Sequence, residues 1–321
     1  MDVFFYEAFD EEARELAPLL DRRLTYGITD KTIQEAGHLS PPAKLISIRT
    51  QSVIPIHWAK QLEGVLSRST GYDHLKKYLD TINLPLPCGY LKEYATRAVA
   101  EHAILLLICL MRALPQQIRQ FNCFQRNGLT GAECAGRNLL IVGVGRIGSE
   151  IASIASALGM NVRGVDIVQR HHSICYTTKE EGFSWADAII CAMNLTDENH
   201  SYFSYDALKI CRQGIVFVNI ARGEHAPIGD LFRLICDHHM GGLGIDVFDD
   251  EPQLAVALRD GKEETSPVAQ ILKELLKHPN VLCTPHNAFN TIEALRRKAQ
   301  FSVDEIFFFM RERAFSNRVH I

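Results

Sequence analysis

Short apolar runs alternate with amphipathic segments along the chain from about residue 138 onward. The apolar runs predict buried strands, and apolar positions spaced three and four apart predict helices that pack on them. This alternation is typical of a doubly wound parallel sheet with helices on both faces. Six strands are predicted, near residues 139–142, 162–165, 187–191, 215–219, 242–246 and 281–284.

A weaker version of the pattern precedes residue 95, with strands near 2–6, 44–48 and 64–67. It predicts a smaller α/β domain. A long apolar helix, about 95–113, would bridge the two domains, and a helix over 291–313 would return to the first. We therefore expect an outer domain of residues 1–97 plus 293–321, with residues 98–292 inserted as a second domain.

Composition and charge argue against a nucleic-acid-binding, membrane, secreted or metal-binding protein. The 321 residues carry a formal net charge of −4, which gives no basis for a general nucleic-acid or anionic-membrane role. The longest apolar run, 103–111, is about half a membrane span, and the N-terminus lacks the basic start of a secretory signal, so we expect a cytoplasmic protein. Nine scattered cysteines and the histidine pairs 171–172 and 238–239 show no metal-ligand spacing, so reduced thiols and no metal are expected.

A glycine-rich turn follows the first strand of the inserted domain. Its glycines are Gly143, Gly145 and Gly148, and Asp166 follows 18 residues after the last one, at the end of the second strand. The first glycine permits a tight turn, the second a close approach to a pyrophosphate, and the third close packing of helix on strand. The inserted domain is thus predicted to be a Rossmann-type dinucleotide-binding sheet, and the outer domain a smaller flavodoxin-like α/β unit that binds substrate.

Three further strands end in polar residues. Arg222 follows Val218-Asn-Ile-Ala, Glu251 ends the acidic loop after Gly244-Ile-Asp246, and His286 follows Thr284-Pro. Each has an ordinary interpretation alone, as a surface ion pair, a solvated acidic loop or a structural histidine. Because open α/β sheets bind ligands at the carboxyl ends of their strands, we expect the three to converge on one cleft.

Together these residues suit hydride transfer to a 2-keto acid. A guanidinium can hold a carboxylate through two hydrogen bonds and polarise the adjacent ketone. An imidazole can donate a proton to the developing alkoxide, and a carboxylate beside the imidazole favours its charged form. Arg222, Glu251 and His286 are therefore the candidate catalytic residues.

The whole chain resembles the D-isomer-specific 2-hydroxyacid dehydrogenases. The matching motifs, besides the glycine turn with Asp166, are Val218-Asn-Ile-Ala-Arg-Gly, Gly244-Ile-Asp-Val-Phe-Asp-Asp-Glu-Pro, Thr284-Pro-His-Asn-Ala, Val99-Ala-Glu-His102 and Arg68-Ser-Thr-Gly71. The resemblance implies Arg222 as carboxylate anchor and His286 with Glu251 as the acid/base pair. It also implies that Thr70 and Gly71 offer backbone N–H groups to the substrate, and that the product has D configuration.

Cofactor contacts carry over from the same resemblance. Arg146 and Ile147 join the three glycines at the pyrophosphate, and Asp166 would bind both adenosine ribose hydroxyls. A carboxylate there repels a 2′-phosphate and favours NAD over NADP, although Arg170 could soften that preference. The remaining implied contacts are Met193 and Asn199 on the adenosine side and Ala221 and Asp246 on the nicotinamide side. Asn194 stands where the family usually has proline.

D-lactate-type members of the family resemble the chain most, through Tyr94 before Val99-Ala-Glu, a long insert at 253–279 and His286-Asn-Ala-Phe289. Tyr94, which is also the candidate substrate-binding residue, Tyr72 and Phe289 are candidate pocket residues that sense the substrate's R group; each is equally well interpreted as an ordinary core or interface packing residue. The apolar helix 98–113 and the resemblance together imply a homodimer through the nucleotide domains.

Two other functions remain open at this stage. A relative acting on formate, phosphite or a phosphorylated hydroxyacid would need extra basic groups, for which Arg49 and Arg68 are available. An NAD(H)-sensing binding protein, like the C-terminal-binding corepressors, would keep the same three polar residues. The chain shows no long disordered tail for partner motifs, which favours the enzyme.

Overall fold

The computed structural model describes residues 1–20 and 24–319. By its contacts, the chain divides into two compact units. The first unit comprises Met1–Ala95 and Asn290–Ile321, and the second comprises Thr96–Phe289. Both are α/β units built on parallel sheets, which confirms the predicted fold class.

The first unit contains a five-stranded parallel sheet of order β2-β1-β3-β4-β5. This is the flavodoxin-like order. Its strands are β1 (Val3–Phe5), β2 (Tyr26–Ile28), β3 (Leu45–Ile48), β4 (Gly64–Ser67) and β5 (Cys88–Tyr90). Its helices are α1 (Asp10–Leu20), α2 (Ile33–Ala36), α3 (Asp73–Ile82) and the C-terminal helix (Ile292–Glu312).

The C-terminal helix packs on this sheet because one strand residue lacks a side chain. A Cβ on Gly64 would lie 2.5 Å from the Phe309 ring, so the ring lies directly over the backbone of β4. Phe309 is in turn stacked on Phe315, with ring centroids 4.7 Å apart. Phe309 and Phe315 are thus part of the core of the first unit.

The second unit contains a seven-stranded parallel sheet of order β12-β11-β10-β9-β6-β7-β8. The strands are β6 (Asn138–Val142), β7 (Asn161–Val165), β8 (Cys175–Tyr176), β9 (Ala188–Cys191), β10 (Ile215–Asn219), β11 (Met240–Ile245) and β12 (Val281–Cys283). The helices are α4 (Thr96–Met111), α5 (Leu114–Gln120), α6 (Arg146–Ala157), α7 (Lys179–Trp185), α8 (Tyr205–Lys209), α9 (Ile228–Cys236), α10 (Glu251–Arg259) and α11 (Pro267–Leu275). The strand order reverses between β6 and β9, where such sheets bind dinucleotides.

The apolar helix α4 lies against this sheet. Cβ atoms built on Gly242 and Gly244 of β11 would lie 3.1 Å from Leu110, so the two glycines let the helix approach the strand backbone. No single helix in the described ranges is long and apolar enough to span a membrane; α4 passes such a test only together with Leu114–Cys123, as a pair bent by 57°.

Candidate active site

The three glycines of the turn between β6 and α6 differ in how much space a side chain would have. Gly143 has φ of +93°, and a Cβ there would lie 2.6 Å from the backbone of Ala192 and Met193. A Cβ on Gly148 would collide with the carbonyl oxygen of Gly143, whereas a Cβ on Gly145 would meet nothing within 4 Å. The turn therefore leaves open space at Gly145, beside the N-terminus of α6, where unpaired N–H groups attract an anion.

Asp166 lies directly after β7 and fixes the same turn. Its Oδ2 accepts a hydrogen bond from the Val144 N–H at 2.6 Å, and its Oδ1 accepts one from the Val168 N–H at 2.9 Å. Each carboxylate oxygen has a second lone pair. The half-exposed carboxylate can therefore still accept hydrogen bonds from two hydroxyl groups of a ribose.

The other predicted cofactor residues lie at the carboxyl edge of the second sheet. Arg146 and Ile147 begin α6, Met193 follows β9, and Ala221 is buried after β10. Asn199 has a structural role in its loop: it accepts from the Thr196 N–H at 2.8 Å and donates to the Asn194 carbonyl at 2.7 Å. These two hydrogen bonds hold the loop that contains Asn194, the position where the family usually has proline.

His286 and Glu251 form a direct pair. The imidazole Nδ1 lies 2.8 Å from both carboxylate oxygens of Glu251, and both side chains are mostly buried. Glu251 begins α10 after β11, and His286 follows β12, the neighbouring strand. Because Nδ1 is bonded to Glu251, the imidazole has Nε2 as the nitrogen for proton exchange with a substrate.

The loop that carries His286 is held by Asp246, which is 1% exposed. The Asp246 carboxylate accepts hydrogen bonds from the Thr284 hydroxyl at 2.6 Å and from the N–H groups of Asn287 and Ala288 at 2.8 and 2.9 Å. His102 Nε2 lies 3.1 Å from the same Thr284 hydroxyl. Asp246 was predicted only as a cofactor contact, and the structure adds that it supports the loop on both sides of His286.

Arg222 follows β10, which pairs with β11. Asn219 supports the turn: its Nδ2 donates to the Arg222 carbonyl at 2.8 Å and its Oδ1 accepts from the Ala221 N–H at 3.1 Å. Arg222 Nη1 donates to the Ala221 carbonyl at 2.8 Å. The guanidinium is half-buried at the same sheet edge as the His286–Glu251 pair.

The acidic loop before Glu251 is fixed to helix α9. Asp249 Oδ2 accepts from the Ile228 N–H, the first of that helix, at 3.0 Å. Burial raises the pKa of Asp249, the Ile228 N–H opposes that change, and neighbouring Asp250 adds to it. Asp250 then adopts a left-handed conformation, with φ of 48°, immediately before Glu251. Sequence reasoning treated this loop as a source of charge and missed its role in positioning Glu251.

The predicted substrate-binding residues of the first unit differ in their exposure. Thr70 and Gly71 follow β4 and are partly exposed, whereas Tyr94 is buried, with its ring centroid 5.9 Å from the Lys298 Nζ. Tyr72 packs against Tyr90, with ring centroids 4.5 Å apart.

The structure corrects the suggestion that Arg68 is available to a phosphorylated substrate. Arg68 is fully buried and donates to Glu12 at 2.7 Å, to the Ser47 hydroxyl at 3.1 Å and to the Tyr6 carbonyl at 2.6 Å. Burial alone would raise the pKa of Glu12, but Arg68 and Lys298 together lower it to about 2. Arg68 thus belongs to a buried ion cluster.

Across residues 1–20 and 24–319, no three His, Cys, Asp or Glu side chains are grouped so that they could hold a metal ion. Sequence reasoning also missed Asn219, Thr284 and His102 as supporting residues. Their motifs were recognised, but their hydrogen-bond partners depend on loop conformation.

Comparison with known proteins gives matches over most of the chain. A family model, the NAD binding domain of D-isomer specific 2-hydroxyacid dehydrogenases, matches residues 103–288, more than half of the chain. A D-lactate dehydrogenase of Streptococcus pyogenes serotype M1 is 28% identical over 84% of this chain and 83% of that protein. A D-3-phosphoglycerate dehydrogenase of Bacillus subtilis strain 168 is 33% identical over 66% of this chain, but over only 39% of its own length. The crystal structure of D-lactate dehydrogenase from Aquifex aeolicus, complexed with NAD and lactic acid, matches with a TM-score of 0.86 at 25% identity and covers 99% of both chains.

Proposed function

The chain belongs to the D-isomer specific 2-hydroxyacid dehydrogenase family, and from this premise we propose how its own residues carry out the reaction. The enzyme is an NAD-dependent dehydrogenase that interconverts a 2-keto acid and a D-2-hydroxy acid. The bound nicotinamide supplies or accepts the hydride. The residues described above bind and orient the substrate, polarise its 2-keto group and transfer the proton.

Arg222 is proposed to bind the substrate carboxylate and to polarise the 2-keto group. A guanidinium presents two parallel N–H groups to a carboxylate, which orients the substrate as well as attracting it. The position of Arg222 after β10 supports this role. Glu251 and His286 follow β11 and β12, which are the next two strands of the sheet. We also propose that Thr70, Gly71 and Tyr94 contribute to substrate binding.

His286 is proposed to donate its Nε2 proton to the oxygen of the 2-keto group during reduction and to recover it during oxidation. The contact that carries this assignment is the 2.8 Å approach of Nδ1 to both oxygens of Glu251. A carboxylate at Nδ1 fixes the orientation of the ring and stabilises the imidazolium. Glu251 is thus a positioning and charge-stabilising partner and does not itself exchange a proton with substrate.

The nucleotide is proposed to lie along the turn from Gly143 to Gly148, where the open space at Gly145 fits a pyrophosphate. Arg146 and Ile147 would contact the pyrophosphate, and Met193 the adenosine. Asp166 would accept hydrogen bonds from the adenosine ribose, and its charge disfavours a 2′-phosphate. Ala221 and Asp246 are proposed on the nicotinamide side. Asn199 is proposed to act on the adenosine side through the loop that it holds.

The proposed reaction is tested by NADH oxidation with pyruvate, glyoxylate, hydroxypyruvate and phenylpyruvate. We expect turnover of at least one of them. Arg222→Lys should lower kcat/KM by about a hundredfold, because an ammonium cannot replace the two-pronged contact. Absence of turnover with every 2-keto acid, while NADH still binds, would contradict the proposal.

We also propose that the protein forms a homodimer through its second unit. Five large apolar side chains are exposed along α4, α5 and the turn that follows; this apolar stripe comprises Leu105, Leu114, Ile118, Phe121 and Phe124. Contiguous exposed apolar surface of this kind marks interaction sites. A cytoplasmic location is also proposed, supported by nine free cysteines, which fit a reducing compartment.

A further inference from the structure

A chain of three side-chain hydrogen bonds runs beneath the loop that follows β4 in the first unit. His74 Nε2 lies 2.9 Å from the Ser67 hydroxyl, which lies 2.6 Å from the Ser69 hydroxyl. The Ser69 hydroxyl donates to the Gly71 carbonyl at 2.7 Å. Ser67 is fully buried and Ser69 is 8% exposed, so this hydrogen-bond relay is sheltered from water.

The single hydrogen on each serine hydroxyl determines which group donates and which accepts in each hydrogen bond of the relay. A serine hydroxyl has one hydrogen to donate. Since Ser69 donates that hydrogen to Gly71, it must accept from Ser67. Ser67 must then accept from His74, so the His74 Nε2 carries a hydrogen. The relay therefore runs one way, from His74 on α3 to the backbone carbonyl of Gly71.

The relay fixes the position of the backbone that follows Thr70, in the segment that contains Thr70 and Gly71. The Ser69 carbonyl accepts a hydrogen bond from the Leu91 N–H at 3.1 Å, and the Arg68 N–H donates to the Ile48 carbonyl at 2.7 Å. The backbone before Thr70 is thus tied to the sheet. The relay ties the backbone after it, because the Gly71 carbonyl is bonded through two serines to α3.

We propose that His74, Ser67 and Ser69 are positioning residues that hold the Thr70–Gly71 backbone in the geometry that binds the carboxylate of a 2-keto acid. This inference rests on the proposed function. Backbone N–H groups bind an anion well only when their direction is fixed, and displacements of about 1 Å can lower catalytic rates severely. The relay acts through the loop and does not touch substrate.

The first test compares two serine-to-alanine variants of the first unit. Ser69→Ala breaks the relay at Gly71. Ser302→Ala is the control, since Ser302 is buried like Ser69 and its hydroxyl also donates to a backbone carbonyl, that of Lys298, at 2.6 Å. We expect Ser69→Ala to raise the KM for the 2-keto acid about tenfold, with the dissociation constant of NADH unchanged. Ser302→Ala removes a buried hydroxyl of the same unit and should leave KM unchanged.

The second test uses two substitutions of His74, whose side chain is partly exposed. His74→Leu removes the donor and should raise KM as Ser69→Ala does. His74→Gln keeps an N–H donor at similar reach and should restore KM to within about threefold of the native value. Restoration by glutamine separates a hydrogen-bonding role from simple filling of space. This pair also carries the test if Ser69→Ala fails to fold.

The outcomes distinguish the relay from the reaction itself. An unchanged KM in both Ser69→Ala and His74→Leu, in an enzyme that is otherwise active, would overturn the relay and leave the proposed function standing. A KM increase in Ser302→Ala equal to that in Ser69→Ala would also overturn it. A native enzyme that turns over no 2-keto acid would overturn the proposed function and the relay together.

Discussion

His286 has φ of 51°, a left-handed conformation that is unfavourable for a residue with a Cβ. The strain is about 1 kcal/mol and persists only where neighbouring contacts enforce it. Asp246 supplies those contacts through the N–H groups of the next two residues. The backbone therefore holds the imidazole in place before substrate arrives, and Glu251 fixes the orientation of its ring.

At the residue scale, we predict that His286→Ala abolishes most turnover while NADH still binds. The variant loses the proton donor, but the turn from Gly143 to Gly148 that would bind the pyrophosphate follows a different strand, β6. We expect kcat to fall at least about a thousandfold, measured by NADH absorbance. NADH affinity, measured by fluorescence titration, should change less than about threefold. A variant that retained most of its kcat would refute the role of His286.

His225 gives a prediction for stability. This imidazole is fully buried, lies 3.7 Å from the Cys191 sulfur, and burial lowers its pKa from 6.5 to about 4. Since the unfolded chain binds the proton at higher pH than the folded chain, the free energy of unfolding is highest above about pH 6.5 and decreases as the pH falls toward 4. The decrease from this residue is up to about 3 kcal/mol.

We therefore predict that His225→Leu flattens the decline of stability between pH 6.5 and 4, the two pKa limits. Urea unfolding at several pH values measures it. Near pH 8 this imidazole is neutral in both the folded and the unfolded chain, so the native protein and the variant differ there only by its packing and hydrogen bonds, and this comparison is the control. Equal slopes in the two proteins over the acid range would show that His225 does not titrate as described.

The sequence predicted that Arg222 and His286 follow strands of the second sheet, and the structure places them after β10 and β12. It did not predict the supporting roles of Asp246, Asn219 and Asp249. Their partners are mostly backbone N–H and carbonyl groups in irregular loops, and no spacing rule encodes which groups those loops present. The prediction for Arg68 was wrong. The sequence left it available to a phosphorylated substrate, but the structure buries it in an ion cluster with Glu12.

At the element scale, the turn between β6 and α6 combines two requirements in one short segment. Gly143 and Gly148 are needed for packing, because side chains there would meet backbone, whereas Gly145 faces open space. We therefore expect folding and nucleotide binding to depend on different glycines of the same turn.

We predict that Gly145→Ala weakens NADH binding at least about tenfold and leaves the melting temperature unchanged, since its Cβ would fill the space for the pyrophosphate. Gly148→Ala should instead destabilise the protein by about 1–3 kcal/mol through overpacking. Gly229→Ala in α9 is the control, because its Cβ also meets nothing within 4 Å. Native NADH affinity in Gly145→Ala would contradict this assignment.

The strands that the sequence missed share a position. β2 and β5 are the two edges of the first sheet, and β8 is one edge of the second. They contain two or three residues each, and β2 and β8 are not fully buried. An edge strand pairs on one side only and needs no long apolar run, so its sequence pattern is weak. The buried central strands were predicted well because both of their faces must be apolar.

At the scale of the whole molecule, the apolar stripe along α4 and α5 is exposed on the isolated chain. Phe121 and Phe124 are each 71% exposed, and Ile118 is 66% exposed. Burial of such side chains against a second copy would stabilise a dimer by about 25 cal/mol for each Å² of apolar surface.

We predict that the protein sediments as a dimer at micromolar concentration and that Phe121→Asp together with Ile118→Asp shifts it to monomer. The control is Leu39→Asp, which alters an exposed leucine of the first unit, 91% accessible. Sedimentation velocity distinguishes the two species. A native protein that stays monomeric, or a double variant that stays dimeric, would exclude this stripe as the interface.

We propose that hydride passes between the nucleotide and C2 of a 2-keto acid and that His286 supplies the proton. Reduction with NADH deuterated at the transferable position of C4, followed by mass spectrometry and chiral chromatography of the product, tests it most directly. We expect the native enzyme, and not His286→Ala, to form a D-2-hydroxy acid with one deuterium on C2. An L-configured product, or a product without deuterium on C2, would contradict it.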